Sequence, residues 1–515
     1  MYPEKHPKSV LVGIVLGGIL ATAGWSLLGG GPPVHSESQA DQKKQGAQPK
    51  HEHEHPPSAT VGSAKDRGKL VAGQRAAGLP PVPVEVPDVP KLPWKMVDGV
   101  KEFHLTAEHL KREFLPDVWI DVWGYNGSMP GPTIEAVEGD KVRIVVHNKL
   151  PESTVMHWHG LEVPIAMDGV PGVTQDPIRP GESFTYEFTL KQNGTFFYHS
   201  HGAMQEGMGM VGLFIIHPKY AYNPPVDKDF ALVLQEWALL PGATIPNTMS
   251  MEFNIFTVNG RAAPYITPLV IKQGERVRIR LLNFSVIDHH PMHLHGLTFW
   301  VTGTEGGRIP DTAWIPGNNV LVGVAQVREI EFIADNPGDW VLHCHMFHHM
   351  MNFMSSMVGP MGGHTSKGMK AGGSMAVGMG MLNGGPALSE EFGARLGRGT
   401  GEQTTIDRAV GNGPKMDSGH ASHGGAAKKV PGSPQEMFGM SMYSEQQVKK
   451  LNSKWQTRGM RKDWYMGVEA LFTVVRVLPP DLYDKVVSGK GDVQPGASVP
   501  GSGPGEKHKG HEHKH

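Results

Sequence analysis

Between residues 96 and 220, short β-branched and aromatic runs alternate with clusters of Gly, Pro, Asn and Asp. Val142-Arg143-Ile144-Val145-Val146 and Ser183-Phe184-Thr185-Tyr186-Glu187-Phe188 are two such runs. Alternation at period two with turn residues at each end predicts strands of a sandwich-like domain. Residues 226–362 have the same texture and repeat the first region in detail. Glu138-Gly139-Asp140-Lys141-Val142-Arg143-Ile144 aligns with Gln273-Gly274-Glu275-Arg276-Val277-Arg278-Ile279 at an offset of 135. His157-Trp158-His159-Gly160 aligns with His293-Leu294-His295-Gly296 at 136, and Tyr198-His199-Ser200-His201 with Leu342-His343-Cys344-His345 at 144. The chain therefore carries a duplicated β domain.

The flanks read differently. Lys5 and Lys8 precede an uncharged apolar run that reaches Leu28, and Ala21-Thr22-Ala23 has the form of a signal-peptidase site. Residues 1–28 are expected to direct export, either cleaved or kept as a single membrane anchor. Residues 29–95, with His51-Glu52-His53-Glu54-His55 and a proline every two or three positions from Pro80 to Pro93, predict an extended tether. Residues 363–435 are low-complexity, rich in Gly, Met and His, and are expected to form no core. In 436–490, Ser444 and Gln447 have capping-box spacing, and the apolar content of Trp464–Val477 requires a surface to bury against. A His-rich tail, 491–515, ends the chain.

Charge and cysteine content narrow the function. Lys+Arg 48 against Asp+Glu 50 leaves no basic surplus for nucleic acid. One Cys among 515 residues excludes an internal disulfide and any multi-Cys zinc or iron–sulfur site. The 28 histidines point elsewhere.

Four His-x-His pairs recur at matching places in the two repeats: His157/His159, His199/His201, His293/His295 and His343/His345. Residues i and i+2 of a strand share a face, so each pair offers two imidazoles side by side. One such pair is ordinarily a packed or surface feature; four at homologous positions point to metal. Cys344 lies inside the last pair and faces the opposite side of its strand, which makes the strand a short covalent path between two centres. His349 follows Cys344 by five residues, Met354 by ten, and His290 opens the segment that holds His293 and His295. Two imidazoles, a thiolate and a weak thioether describe a type 1 copper site. Met350 and Met351 are alternatives for the thioether.

These motifs resemble those of the multicopper oxidases, the laccase-like family built from cupredoxin domains, over residues 96–362. The resemblance implies an all-β chain of two cupredoxin-like Greek-key β-sandwich domains, 96–220 and 226–362. It implies four coppers per chain: type 1 on His290, Cys344, His349 and Met354; type 2 on His157 and His293; and a type 3 pair on His159, His199, His201, His295, His343 and His345. Asp168, in Met167-Asp168-Gly169, matches an acidic residue near the oxygen-reducing cluster and suits a proton relay, although an Asp before Gly is equally a turn residue. The expected reaction is one-electron oxidation of a phenolic or metal-ion donor, Cu(I) included, with four-electron reduction of dioxygen to water.

Two domains rather than three resemble the two-domain laccases, which implies a homotrimer with the cluster shared between subunits. The segment 444–487 acting as a third layer is the other arrangement open to this chain. Copper nitrite reductase fits less well, because its Cys ligand lies in the first domain, where this chain has Ser200. A non-catalytic copper-binding or resistance protein is the remaining class. His51–His55, the terminal histidines and Met361, Met369, Met375, Met379 and Met381 would supply its ligands, or form only a solvated tail. Met292, Met346, Met350 and Met351 near the type 1 motif would favour Cu(I) as donor, or fill core space.

Overall fold

A computed structural model describes residues 81–219, 222, 225–240, 243–350, 352 and 443–498, all within one unit of the chain, Val61–His515. The expectations for 1–28, 363–435 and most of 29–95, and the candidate ligand Met354, lie outside the described residues.

The first repeat forms β1 (Trp94–Val97), β2 (Val100–Leu115), β3 (Val118–Tyr125), β4 (Gly131–Val137), β5 (Lys141–Asn148), β6 (His157–His159), β7 (Ser183–Thr189), β8 (Gly194–His199) and β9 (Val211–His217). The second forms β10 (Lys228–Trp237), β11 (Ile255–Val258), β12 (Leu269–Lys272), β13 (Arg276–Asn283), β14 (His290–Leu294), β15 (Phe299–Thr304) and β16 (Gly307–Arg308). It continues through β17 (Ile315–Gly317), β18 (Asn319–Val322), β19 (Val327–Ile333) and β20 (Gly338–Cys344), and ends in β21 (Phe472–Leu478). Among the described residues three short α-helices accompany them, α1 (Ala203–Gly207), α2 (Glu445–Leu451) and α3 (Pro480–Ser488).

Each repeat is a two-sheet sandwich. In the first, β1-β2-β5-β7, with β3 on β2, faces β4-β9-β8-β6. Phe103, Ile144, Trp158, Tyr186 and Phe214 fill the space between the two sheets. In the second, β11-β10-β13-β19-β15-β16 faces β12-β21-β20-β14-β18. The order β4-β9-β8-β6 thus recurs as β12-β21-β20-β14, including the parallel pairs β4/β9 and β12/β21. The two sandwiches meet through Phe197, Leu213 and Ile215 against Val233, Leu282 and Phe284, and Thr195 donates to Glu329 across the junction at 2.7 Å.

Two expectations about the flanks need correction. The second sandwich does not close by 362, and the segment after Ser444 is not a third layer. All seven residues of β21 are buried, and the strand inserts between β12 and β20 as β9 does between β4 and β8. The apolar run Phe472–Leu478 is continuous rather than alternating because both of its faces are covered. The connection that spans 200–210 in the first domain spans 345–471 in the second. The expected capping box forms at α2, with Ser444 and Gln447 bonding reciprocally, and α2 rests on the first domain, Gln447 donating to the Pro116 carbonyl at 3.0 Å.

The tether also ends earlier than expected. Val84 and Val86 are buried between the domains, and Glu85 bridges to Phe230 on β10. Prolines alternating with valines hold this strap extended while its valines share one face.

Candidate copper sites

His290 on β14, Cys344 at the end of β20 and His349 in the following turn come together beneath β21, all fully buried. Nδ1 of His290 is 3.1 Å from Nδ1 of His349, and the Cys344 sulfur lies 3.7 and 3.6 Å from the two nitrogens. A trigonal ion with bonds of about 2.0 Å to nitrogen and 2.3 Å to sulfur requires edges of roughly 3.5 to 3.8 Å, so the donor triangle fits one metal ion after a small expansion. Both rings are oriented through the other nitrogen: His290 Nε2 meets the Ser285 hydroxyl at 2.6 Å and His349 Nε2 meets Asp288 Oδ2 at 3.2 Å. Such outer partners fix ring orientation and basicity.

Burial also sets the protonation of the ligands. It pushes the Cys344 thiol up to about 12, so without a metal the thiol keeps its proton. Burial, followed by neighbouring His349, pushes His290 down to about 3 and leaves it neutral and available as a ligand. Behind His349, burial raises Glu236 to about 8; one of its oxygens accepts from the Ile287 and Asp288 amides.

The His-x-His pairs assemble as two quartets. In the first domain β6 and β8 are antiparallel with His157 opposite His199, and the His157 ring stands 5.8, 5.2 and 5.5 Å from those of His159, His199 and His201. In the second, β14 and β20 place His293 opposite His343. The His293 ring is 4.7, 5.6 and 5.8 Å from those of His295, His343 and His345. Four of these rings donate Nδ1–H to a backbone carbonyl: His157 to Asp168, His199 to Ser200, His293 to Asn318 and His343 to Cys344, at 2.7 to 2.8 Å. That leaves Nε2 of each for a metal. Burial, then His199, lowers His159 to about 4. Imidazoles crowded this closely are a donor set suited to copper.

Asp168 lies beside the first quartet, its carbonyl on His157 and its carboxylate 3.6 Å from the same ring. Gly169 makes this turn feasible. Its φ is +82°, and a Cβ there would sit 1.8 Å from the Met156 carbonyl oxygen.

Among the described residues, the quartets form separate ligand groups, His157/His159/His199 and His293/His295/His343, and no group mixes histidines of both domains. Their open sides reach the surface, His201, His295 and His345 being exposed.

The repeat also pairs the thiolate-site ligands with residues of the first domain, of which Thr154 and Gln205 carry no motif of their own. An offset of 136 places Thr154 on His290, and 144 places Ser200 on Cys344 and Gln205 on His349. In the structure these three form a buried polar triad, with Thr154 and Ser200 hydroxyls donating to Gln205 Oε1 at 2.7 and 2.6 Å. The first domain thus holds hydrogen bonds where the second holds metal donors, which removes the thiolate that nitrite reductase needs there. Met292, a candidate Cu(I) contact, is buried in the core, and Met346 and Met350 pack partly against it. Met351 lies outside the described residues. Among the described residues the exposed methionines are Met96, Met204, Met249 and Met251.

Comparison with known proteins finds one family in both repeats. Two family models, both described as multicopper oxidase, match residues 107–221 and 241–359. The chain is 41% identical to Copper resistance protein A of Escherichia coli over 230 residues, 35% of this chain and 38% of that protein. It is 31% identical to Laccase-2 of Botryotinia fuckeliana over 253 residues, 43% and 42% of the two chains. Among solved structures it is similar to a blue copper oxidase from Nitrosomonas europaea, with 31% identity, 50% of this chain and 82% of that one covered, and a TM-score of 0.45. The fold is one of cupredoxin-like sandwiches, and the matching family implies copper cofactors. The chain belongs to the multicopper oxidase family. It spans about two fifths of the length of the curated relatives it matches.

Proposed function

We propose that this chain is an exported, homotrimeric laccase-type oxidase that takes electrons singly from a phenolic or metal-ion donor, such as Cu(I), and delivers them to dioxygen. The observation that carries the reading is Cys344 on β20, joined to His290 and His349 on one face and flanked by His343 and His345, which belong to a quartet on the other. Bound copper supplies one-electron storage at the thiolate site and four-electron reduction of dioxygen to water at a trinuclear cluster, four ions per chain. The chain's residues do the rest. Asp288 accepts from the outer edge of His349 and is half-buried, so a donor arriving there meets a carboxylate for its proton or positive charge, with the buried ligand ring one hydrogen bond behind it for its electron. The His343 Nδ1–H bonded to the Cys344 carbonyl adds a hydrogen-bonded shortcut to the covalent path between the two centres. Asp168 places a carboxylate beside the first quartet, where it can hold a proton for oxygen chemistry.

The separation of the quartets supports a cluster completed between subunits. Exposed apolar residues flank both half-sites: Ile165 and Val173 in the loop that holds His157, and Leu321 on β18, the strand paired with β14 beside His293. Such side chains suit an interface that would bring one subunit's first quartet to the next subunit's second. Among the described residues, no helix is long and apolar enough to cross a membrane. The export reading rests on residues 1–28.

Copper per chain, visible absorption and oxygen uptake, measured on one copper-loaded preparation, test the reading. Four ions, an intense blue thiolate band and uptake with phenol or cuprous ion are expected. Copper without blue colour or oxygen uptake would make this a carrier. Asp288→Asn should slow donor oxidation by about 10- to 100-fold while copper content holds. Light scattering should give a trimer; a monomer that reduces dioxygen would refute the shared cluster.

A further inference from the structure

The internal repeat locates the fourth position of the thiolate site. In the first domain the amide of Ser200 donates to the Met210 carbonyl at 3.2 Å, and the amide of Met210 donates to the Gln205 carbonyl at 3.3 Å. In the second domain the amide of Cys344 donates to the Leu471 carbonyl at 3.0 Å, and the amide of Leu471 to the His349 carbonyl at 3.3 Å. Ser200 corresponds to Cys344 and Gln205 to His349, so the residue bonded to both in each domain is the same structural position: Met210 in the first, Leu471 in the second. Sequence offset alone would assign it to Met354, ten residues after Cys344 as Met210 is ten after Ser200. The long connection displaces that assignment, because the strand that follows the ligand turn in space is β21, not the residues next in sequence.

Side-chain direction follows from register. His343 is paired with Phe472, and their rings stack at 4.6 Å, so that pair occupies the quartet face of the sheet. The neighbouring positions Cys344 and Leu471 then share the opposite face. Leu471 is completely buried in the same cluster as Cys344.

We infer that Leu471, carried in from the C-terminal segment, occupies the axial position of the type 1 site, which is therefore a three-donor site of His290, Cys344 and His349 without a thioether. This rests on the reading of those residues as a type 1 site. A leucine methyl group has no electron pair to give. The site accordingly lacks the donation that would favour the oxidised ion, and its potential is higher than that of the same site with methionine.

The test is a redox titration of the blue band with a one-electron mediator, together with electron paramagnetic resonance, on copper-loaded full-length protein, Leu471→Met and Met354→Leu. Leucine and methionine are close in volume, so both variants should fold. Leu471→Met is expected to shift the mediator equilibrium toward oxidised copper by at least tenfold, about 59 mV, and to alter the copper hyperfine splitting. A Leu471→Met protein with unchanged potential and spectrum would overturn the assignment. So would a rise in potential in Met354→Leu, which would return the axial role to Met354. Absence of a blue band in the unsubstituted protein would instead refute the type 1 reading itself.

Discussion

Phe472 lies flat against His343, ring centroids 4.6 Å apart and planes 16° from parallel, so the strand near the end of the chain buttresses a candidate copper ligand. The first domain contains a related contact, Phe197 against His159 at 4.1 Å and 17°. The buttress makes β21 part of the copper-binding domain. Removing everything after 442 deletes the strand between β12 and β20 and exposes the core around Cys344, and no soluble blue protein is expected. Excising 363–435 alone shortens a connection that the first domain makes in a few residues, which lowers its closure cost. That variant should retain the blue band and a similar unfolding midpoint. Phe472→Ala should cost about 3–5 kcal/mol in thermal or denaturant unfolding.

Much of the site was legible in the sequence, and the reason is local. His-x-His spacing in a strand fixes which imidazoles share a face, and the offset between the repeats pairs His157 with His293. The spacing from Cys344 to His349 fits one tight turn. What escaped depends on contacts between distant segments. Phe472 and Leu471 reach the site across a connection whose length hides their equivalence to Val211 and Met210. Asp288 and Ser285 act through the outer nitrogens of ligand rings, a role with no spacing signature. Val84 and Val86 lie in a proline-rich stretch whose composition alone reads as solvated.

Copper loading of the thiolate site should depend on pH through one group. The buried Cys344 thiol, held up to about 12, must lose its proton to bind copper, whereas His290, held down to about 3, has none to lose near neutrality. Metal binding therefore releases one proton, and apparent affinity should rise by about tenfold per pH unit between roughly pH 6 and 8. Chelator competition monitored by the blue band checks the slope. A slope near two would mean that a ligand histidine is protonated in the copper-free protein.

Stability at low pH should reflect the charge cluster on β13 and β19. Glu331 is fully buried. Burial alone would raise its carboxyl, but Arg308, Arg278 and Arg276 outweigh it and hold the group at about 2. Its bonds to Arg308 and Arg276 are 2.5 and 2.6 Å long. With the folded value depressed, this group's contribution is complete above the ordinary glutamate value of about 4.3 and is lost as pH falls toward 2. Glu331→Gln leaves buried guanidinium charge uncompensated and should cost about 3–5 kcal/mol at neutral pH. Unfolding measured from pH 7 to 2.5 should show the gap between parent and variant closing below about pH 4. A gap independent of pH would mean that packing, not charge, accounts for the loss.

The polar triad of the first domain offers a direct test of how far the repeat retains metal-binding geometry. Thr154, Ser200 and Gln205 occupy the places of His290, Cys344 and His349, and Met210 already stands in the axial place. The combined variant Thr154→His, Ser200→Cys and Gln205→His should therefore bind one additional copper per chain and add a second thiolate band. Because Met210 supplies a thioether where Leu471 does not, the new site should titrate at a lower potential than the native one. Thr154→His adds volume to a buried position and should reduce stability by about 1–3 kcal/mol before copper is added, with part of that recovered on loading. Copper analysis and a two-component redox titration check both points. An extra ion without added absorbance would show that the backbone of the first domain no longer holds three donors in a plane, and that the difference between the repeats extends beyond three side chains.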